Sequence, residues 1–161
     1  MKHSRLFFFL TILVFAGLGS LVNAQFAGKK SDWKGFKKTV FKVAGYDAFV
    51  VEPKEPAKDK PWVWRARFPT YHTEIDEMLL RDGYHVAHVN AGSQLGSPNA
   101  LKIWRPFYDL LTNKHGLNKK VVLEGVSRGG LYVYRWAKTY PETVACIYNC
   151  LLYTSDAADE T

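Results

Sequence analysis

Short apolar runs alternate with longer amphipathic segments through the central part of this chain. Runs of strand-forming residues lie at 40–43, 46–51, 62–64, 84–89, 121–123 and 144–148. Apolar positions at helical spacing predict helices over 73–81, from 97 to about 114, and over 131–138. From residue 62 onward strands and helices alternate, which is typical of a parallel sheet with right-handed crossovers. The pattern therefore predicts an α/β fold with a mostly parallel sheet and helices on both faces, preceded by two antiparallel edge strands.

Polar residues at the ends of the amphipathic segments support two of these helices. Thr73 and Asp76 have the spacing of a capping box, in which two side chains bind backbone amides at a helix start. Ser97 followed by Pro98 is a helix cap with proline in the first turn. The wholly apolar strand at 121–123 is expected where a parallel sheet is covered on both faces. In the last strand, Cys146 is expected to be a buried apolar residue.

Composition describes an ordinary globular chain of one domain. It has 161 residues, 47% of them apolar, 23% charged and two of them cysteine, with a net charge of +7. Much of the positive charge comes from six lysines between residues 29 and 42. Residues 25–39 are therefore interpreted as a basic linker or leader, or as a first edge segment, and residues 40–149 as the domain. No nucleic-acid partner is expected, because no RNA- or DNA-binding signature accompanies the charge.

The first 24 residues have the pattern of a secretory signal peptide. Lys2 and Arg5 precede an apolar stretch over 6–21, and small residues at Val22 and Ala24 mark a cleavage site before Gln25. The stretch is short for a membrane span, which needs about 20 apolar residues. We therefore expect a secreted or periplasmic protein with no stable membrane span after cleavage.

The last residues are unrelated to the pattern before them. Residues 150–160 resemble a translated sequencing-library adapter, so residues 150–161 are interpreted as a non-native tail. On this interpretation the native reading frame is known only to about residue 149, and Cys150 is not native. The identity of residue 149 is open for the same reason.

The segment Gly125-Val126-Ser127-Arg128-Gly129 carries the candidate chemistry. It is a G-x-S-x-G motif between an apolar strand and a predicted helix, the context in which this motif marks a nucleophilic serine. A tight strand-to-helix turn strains the serine, and glycines two positions away let neighbouring backbone pass without a Cβ clash. The helix start then directs its amides at any oxyanion formed beside the hydroxyl.

At this motif the chain resembles the α/β-hydrolase superfamily, in particular its serine esterases and lipases. The resemblance covers about 40–149 and implies the N-terminal part of such a domain. It implies that Ser127 is the nucleophile, that Gly125 and Gly129 form its elbow, and that the Arg128 amide is one oxyanion donor. A second donor is implied after the strand that begins at Trp62. That loop lacks the His-Gly pair of many relatives, and Phe68 is the best match, with Arg67 next.

The resemblance also implies a carboxylate and then a histidine after the serine. Between Ser127 and residue 149 there is no histidine, and Glu142 is the single carboxylate. The acid and the base are therefore expected beyond residue 149, and the chain as given is expected to be inactive. His72, near the presumed oxyanion loop, is a candidate for substrate contact. No pair of residues has metal-ligand spacing, and neither a metal nor a cofactor is expected.

The expected function is that of an exported serine hydrolase that cleaves carboxylic esters through an acyl-enzyme. The substrate would be a small-molecule, carbohydrate or lipid ester. Two alternatives stay open: a serine peptidase of the prolyl-oligopeptidase-like type, which the second glycine at Gly130 also suits, and a non-catalytic binding protein on the same fold. Arg65 and Arg67 fit either an acidic group of the substrate or ordinary surface and ion-pair roles.

Overall fold

A computed structural model describes residues 25–150, which form one seven-stranded sheet and three α-helices. The strands are β1 (Lys29–Trp33), β2 (Phe36–Val43), β3 (Tyr46–Glu52), β4 (Trp62–Arg65), β5 (His85–Val89), β6 (Val121–Val126) and β7 (Val144–Cys150). The helices are α1 (Glu74–Arg81), α2 (Pro98–Asp109) and α3 (Gly129–Thr139). A π-helical turn, Leu110–Lys114, extends α2, and a 3-10 turn, Pro141–Thr143, precedes β7. The proposed signal peptide at 1–24 and residues 151–161 lie outside the described residues.

The strand order is β1-β2-β3-β5-β4-β6-β7. The first four strands in this order pair antiparallel, and β5, β4, β6 and β7 pair parallel. The predicted α/β class is confirmed, although the sheet has a larger antiparallel part than the pattern indicated. The parallel part brings the carboxyl ends of β4 and β6 side by side, and the loops that follow these two strands carry the candidate site.

Of the two interpretations of residues 25–39, the structure has the first edge segment, and not a linker, over most of that range. Residues 29–33 form β1, which pairs with β2 from Lys29 opposite Val40 to Trp33 opposite Phe36. The turn at Lys34 and Gly35 has φ of +53° and +84°, the left-handed backbone that two-residue hairpins require. The lysines lie on an exposed hairpin at the sheet edge, where charge is compatible with strand pairing.

Helices cover both faces of the sheet, as predicted. On one face, α2 and α3 pack on β4 through aromatic side chains, and the Trp64 ring lies 4.1 Å from that of Trp104 and 4.9 Å from that of Trp136. On the other face, Leu80 of α1 packs in a smaller cluster with Val51 and Val86. These two layers bury apolar side chains on both faces of the sheet.

The predicted helices are present, but their caps differ. Thr73 precedes α1 without a side-chain capping bond, because its Oγ1 accepts a hydrogen bond from Lys34 Nζ at 2.8 Å. Asp76 does not complete a capping box, since its carboxylate turns inward to Arg65. Ser97 precedes α2 in an extended conformation without a capping bond.

Cys146 is exposed in β7, contrary to the expectation that it is buried. Most of β7 is exposed or half-buried, since little of the described chain packs on this edge strand. None of the helices between residues 25 and 150 combines the length and apolar character that a membrane crossing requires.

Candidate active site

Ser127 lies at a sharp turn between β6 and α3. Its φ is +50°, a left-handed conformation that costs a non-glycine residue roughly 1–2 kcal/mol. The Gly130 amide donates a hydrogen bond to the Ser127 carbonyl at 3.0 Å and closes the turn. The residue is half-buried. The structure therefore gives Ser127 the strained strand-to-helix position that the motif predicts.

Gly125 makes this turn sterically possible. A Cβ atom at Gly125 would lie 2.9 Å from the amide nitrogen of Gly130, closer than real Cβ atoms approach backbone. At Gly129 a Cβ atom would have its nearest contact at 3.4 Å, to Arg67 Cβ, which is an ordinary van der Waals distance. The elbow thus requires glycine at Gly125 and benefits less from glycine at Gly129.

The start of α3 supplies the first candidate oxyanion donor. The helix begins at Gly129, directly after Arg128, and runs for 11 residues to Thr139. Within residues 25–150, the Arg128 amide donates to no backbone or side-chain acceptor. A free amide at a helix start, where the helix dipole is positive, favours negative charge beside Ser127.

The second candidate donor lies on the loop over residues 66–73, which we call the oxyanion loop. It begins at Ala66, whose amide donates to the Glu124 carbonyl at 2.9 Å, so the loop leaves the sheet beside the strand that carries Ser127. A Cβ atom added at Gly129 would lie 3.4 Å from Arg67 Cβ, so the loop passes close to the elbow. Phe68 has a φ of +52°, and its amide, too, makes no hydrogen bond in the described part of the chain.

A cavity of about 370 Å³ opens beside this loop. Its walls come from the oxyanion loop, the end of β5 with the loop after it, and α3; the lining residues are Ala66, Arg67, Phe68, Pro69, Thr70, His88, Asn90, Ala91, Gly92 and Tyr132. Arg67 Nη1 donates to the Gly92 carbonyl at 2.8 Å, and the Tyr132 hydroxyl donates to the same carbonyl at 2.9 Å. Ser127 is not part of this lining. The oxyanion loop is part of it, and this loop passes close to Gly129 at the elbow.

The structure places His72 outside this cavity, and a substrate contact at His72 stays a prediction. Its side chain is 63% exposed, it lies against the Tyr71 ring and near Glu74, and it is absent from the cavity lining. A left-handed backbone at His72, with φ of +49°, directs its carbonyl toward Arg65 and leaves the ring in solvent.

His88 lines the cavity instead, and sequence reasoning missed this role. Its Nδ1 lies 2.8 Å from the Arg65 carbonyl, and because a carbonyl only accepts, Nδ1 carries the proton. Mainly through burial, the pKa of His88 is lowered to about 4; the Arg65 charge acts in the same direction, and the hydrogen bond to the Arg65 carbonyl opposes it. His88 is therefore a neutral wall of the cavity at ordinary pH.

Arg65 is a buried ion-pair residue, so the ion-pair alternative holds for this arginine. Its Nη1 donates to Asp76 Oδ2 at 2.7 Å and to Glu124 Oε1 at 2.8 Å, and all three side chains are nearly inaccessible to solvent. Burial, and then the Asp76 charge, raises the pKa of Glu124 to about 8. Desolvation also raises the pKa of Asp76. No sequence signal connected these positions, since they lie 11 and 59 residues from Arg65.

A histidine that could act as a general base for Ser127 is not supplied by the described residues that follow it. No histidine occurs between residues 128 and 150, and Glu142 is exposed on the turn before β7. Among residues 25–150, no group of three or more His, Cys, Asp or Glu side chains is placed to hold a metal ion. On two neighbouring loops, the described residues provide a serine hydroxyl and two backbone amides without a hydrogen-bond partner.

Comparison with solved structures identifies the fold. No protein-family model matches the sequence, and no curated protein matches it. A cold-adapted esterase from an Arctic intertidal metagenomic library is similar over 75% of this chain, with 12% identity and a TM-score of 0.58. A putative lipase from Acinetobacter baumannii is similar over 71%, with 19% identity and a TM-score of 0.53. Epoxide hydrolase A from Mycobacterium thermoresistibile is similar over 71%, with 21% identity and a TM-score of 0.50.

These proteins share the α/β-hydrolase fold, and so does this chain. The chain spans 61%, 41% and 38% of the lengths of the three proteins. Because an esterase, a lipase and an epoxide hydrolase all have this fold, the likeness shows the fold and leaves the reaction open.

Proposed function

We propose that this chain is the N-terminal part of a serine hydrolase that cleaves carboxylic esters. The observation that carries the proposal is the strained Ser127, with φ of +50°, together with the unpaired amides of Arg128 and Phe68 on neighbouring loops. A strained serine at a helix start has a functional explanation in nucleophilic catalysis, because such a turn presents the hydroxyl at the end of the strand.

The geometry supports the following reaction. Ser127 Oγ attacks the ester carbonyl while a histidine takes its proton, and the carbonyl oxygen becomes an oxyanion. The Arg128 and Phe68 amides stabilise that charge, a contribution worth roughly 3–4 kcal/mol for each donor. The tetrahedral intermediate then expels the alcohol, which receives the proton, and leaves an acyl-enzyme on Oγ. Water, activated by the same histidine, adds to the acyl carbon and releases the acid.

The proposal assigns the histidine and its orienting carboxylate to sequence beyond residue 149. In α/β-hydrolases the order along the chain is serine, acid, histidine, and the described residues after Ser127 include no histidine. The 161-residue chain is accordingly proposed to be inactive by itself. Export is also part of the proposal, and it rests on the signal-like pattern of residues 1–24.

The test uses the protein expressed from its full-length gene. We expect hydrolysis of aryl esters and covalent labelling by a fluorophosphonate, both abolished by Ser127→Ala. Ser97→Ala, at the other serine-containing loop-to-helix junction, is the matched control and should keep both activities. Unchanged labelling of Ser127→Ala would refute the assignment of the nucleophile.

Two further measurements separate the remaining alternatives. Cleavage of peptides in preference to aryl esters would indicate the serine peptidase that the Gly129-Gly130 pair also suits. A full-length protein that has neither activity and takes no label would indicate a binding protein on this fold. For export, N-terminal sequencing of the mature protein should begin at Gln25.

A further inference from the structure

We propose that Arg65 is a positioning residue, which holds the oxyanion loop in its strained shape and ties it to the strand that carries Ser127. This role rests on the proposed function, because it concerns the loop that supplies the second oxyanion donor. Arg65 itself is buried behind the loop and does not touch the cavity.

The guanidinium group of Arg65 binds the loop at three carbonyl groups. Nε donates to the Phe68 carbonyl at 3.0 Å, and Nη2 donates to the Tyr71 carbonyl. Both terminal nitrogens lie near the His72 carbonyl, at 3.4 Å and 3.5 Å. One buried side chain therefore contacts both ends of the segment that contains the candidate donor.

Two of the three carbonyl groups belong to strained residues. Phe68 and His72 have φ of +52° and +49°, and neither is a glycine. A left-handed conformation of such residues persists only where the surroundings stabilise it. Because Arg65 donates to the carbonyls of both strained residues, it stabilises the left-handed conformation at Phe68 and His72.

Two carboxyl groups fix Arg65 in turn. Asp76 belongs to α1, and Glu124 belongs to β6, three residues before Ser127. The guanidinium thereby joins the oxyanion loop, the helix after it and the nucleophile strand. Of the two carboxyl groups, Glu124 is the one whose raised pKa keeps a proton near neutral pH, so one cation faces one carboxylate and one neutral acid.

A lysine cannot replace this arrangement. The three carbonyls and two carboxyls surround a planar group with five N–H donors, whereas an ammonium group has three donors at one point. With Lys at this position the loop would lose bonds at Phe68 or at His72, and the Phe68 amide would lose its fixed direction. Displacement of an oxyanion donor affects the transition state and leaves ground-state binding nearly unchanged.

The first test compares Arg65→Lys with wild-type full-length protein. We expect kcat for an aryl ester to fall about 10²-fold with little change in KM, as for the loss of one oxyanion donor. Inhibition by a trifluoromethyl ketone, which forms an oxyanionic hemiketal on Ser127, should weaken by the same factor. Arg81→Lys is the matched control, because Arg81 lies on α1 in an exposed pair with Glu77.

A second pair of variants keeps the proposal testable if Arg65→Lys does not fold. Glu124→Ala leaves a charge-balanced Arg65–Asp76 pair but removes the link to β6, and we expect a lower kcat. Glu124→Gln has the shape of the protonated acid, keeps an acceptor for Arg65 and should retain wild-type kcat. If folded Arg65→Lys had the kcat and the inhibitor affinity of wild type, the positioning role would be overturned. The same holds if Glu124→Ala and Glu124→Gln had equal kcat and equal inhibitor affinity.

Failure of the proposed function gives a different result. A wild-type full-length protein without hydrolysis that depends on Ser127 refutes the nucleophile, and the positioning role falls with it. Wild-type activity with unaffected Arg65 and Glu124 variants refutes the positioning role alone.

Discussion

Ser127 and Phe68 share a left-handed backbone, with φ of +50° and +52°, on two loops that follow neighbouring parallel strands. The loops pass close together at Arg67 and Gly129, where a Cβ atom added to Gly129 would lie 3.4 Å from Arg67 Cβ. Ser127 and Phe68 are thus both held in strained conformations, each stabilised by buried structure beneath it. The predictions below test this strain and the packing that maintains it.

Strain at Ser127 predicts that two inactive variants differ in stability. Ser127→Gly should be more stable than Ser127→Ala by about 1 kcal/mol, because glycine adopts a positive φ without a Cβ clash. Urea denaturation of the two full-length variants measures the difference. At Ser31, within strand β1, the order should reverse, with the alanine variant the more stable. Equal stability of the two Ser127 variants would show that the turn is unstrained.

The elbow glycines should respond unequally to alanine. Gly125→Ala places a Cβ atom 2.9 Å from the Gly130 nitrogen and should displace the turn, with a loss of roughly 1–3 kcal/mol and slower fluorophosphonate labelling. In Gly129→Ala the atom nearest to the new Cβ lies at 3.4 Å, so stability and labelling rate should both remain close to wild type. Melting temperature and labelling rate, measured for both variants, test this difference between the two glycines. A Gly129 variant impaired as severely as the Gly125 variant would contradict this account.

The buried histidines predict loss of stability in acid. Burial lowers the pKa of both His85 and His88 to about 4, whereas an unfolded histidine titrates near 6.5. Between these values the unfolded chain binds more protons, so stability is complete above about pH 6.5 and falls as the pH drops toward 4. The loss amounts to about 3 kcal/mol for each histidine. Denaturation midpoints between pH 4 and 7 should vary less in the double variant His85→Gln, His88→Gln. If the midpoints of this variant changed with pH as steeply as those of wild type, the two histidines would not be the cause of the loss.

Glu124 predicts an effect of the opposite sign. Its pKa in the folded protein, about 8, lies above its ordinary value of 4.5, so the folded state holds a proton that the unfolded state releases. Stability from this group is complete below about pH 4.5 and is lost as the pH rises through 8. Glu124→Gln removes the titration and should flatten the decline in stability between pH 5 and 8. A decline as steep as in wild type would show that Glu124 is ionised in the folded protein.

The aromatic layer beneath α2 should be sensitive to truncation. Trp104 is 1% exposed and stacks on Trp64 at 4.1 Å, so Trp104→Ala should lose about 3–5 kcal/mol of unfolding free energy. Met78→Ala, at a side chain that is 60% exposed on α1, should change stability by less than about 0.5 kcal/mol. Comparable losses in the two variants would contradict the packing described for this face.

Local pattern was sufficient for the elbow and for the element order from β2 onward. Strand-forming runs at 62–64 and 121–123, helical spacing over 131–138 and glycine at Gly125 each depend on neighbours within a few residues. The steric demands of a strand-to-helix turn act over the same short range, so the strain at Ser127 follows from the motif. The free amide of Arg128 follows as well, because every helix start leaves amides unpaired.

Contacts between distant segments were decided by tertiary structure alone. The capping-box spacing of Thr73 and Asp76 was misleading, because a buried Arg65 attracts Asp76 more strongly than a backbone amide does. Whether His88 or His72 lines the cavity likewise depends on which strand end lies beside the oxyanion loop.

The sequence by itself determined that a serine would stand at a bend between strand and helix in an α/β domain. It did so because backbone sterics and hydrophobic periodicity act between near neighbours. Only the folded chain decided that residues 65, 76 and 124 would meet, and that residues 29–33 would pair as a strand. Such contacts depend on the order of strands in the sheet, which no local pattern encodes, and on buried charge, whose energy appears only after water has been excluded.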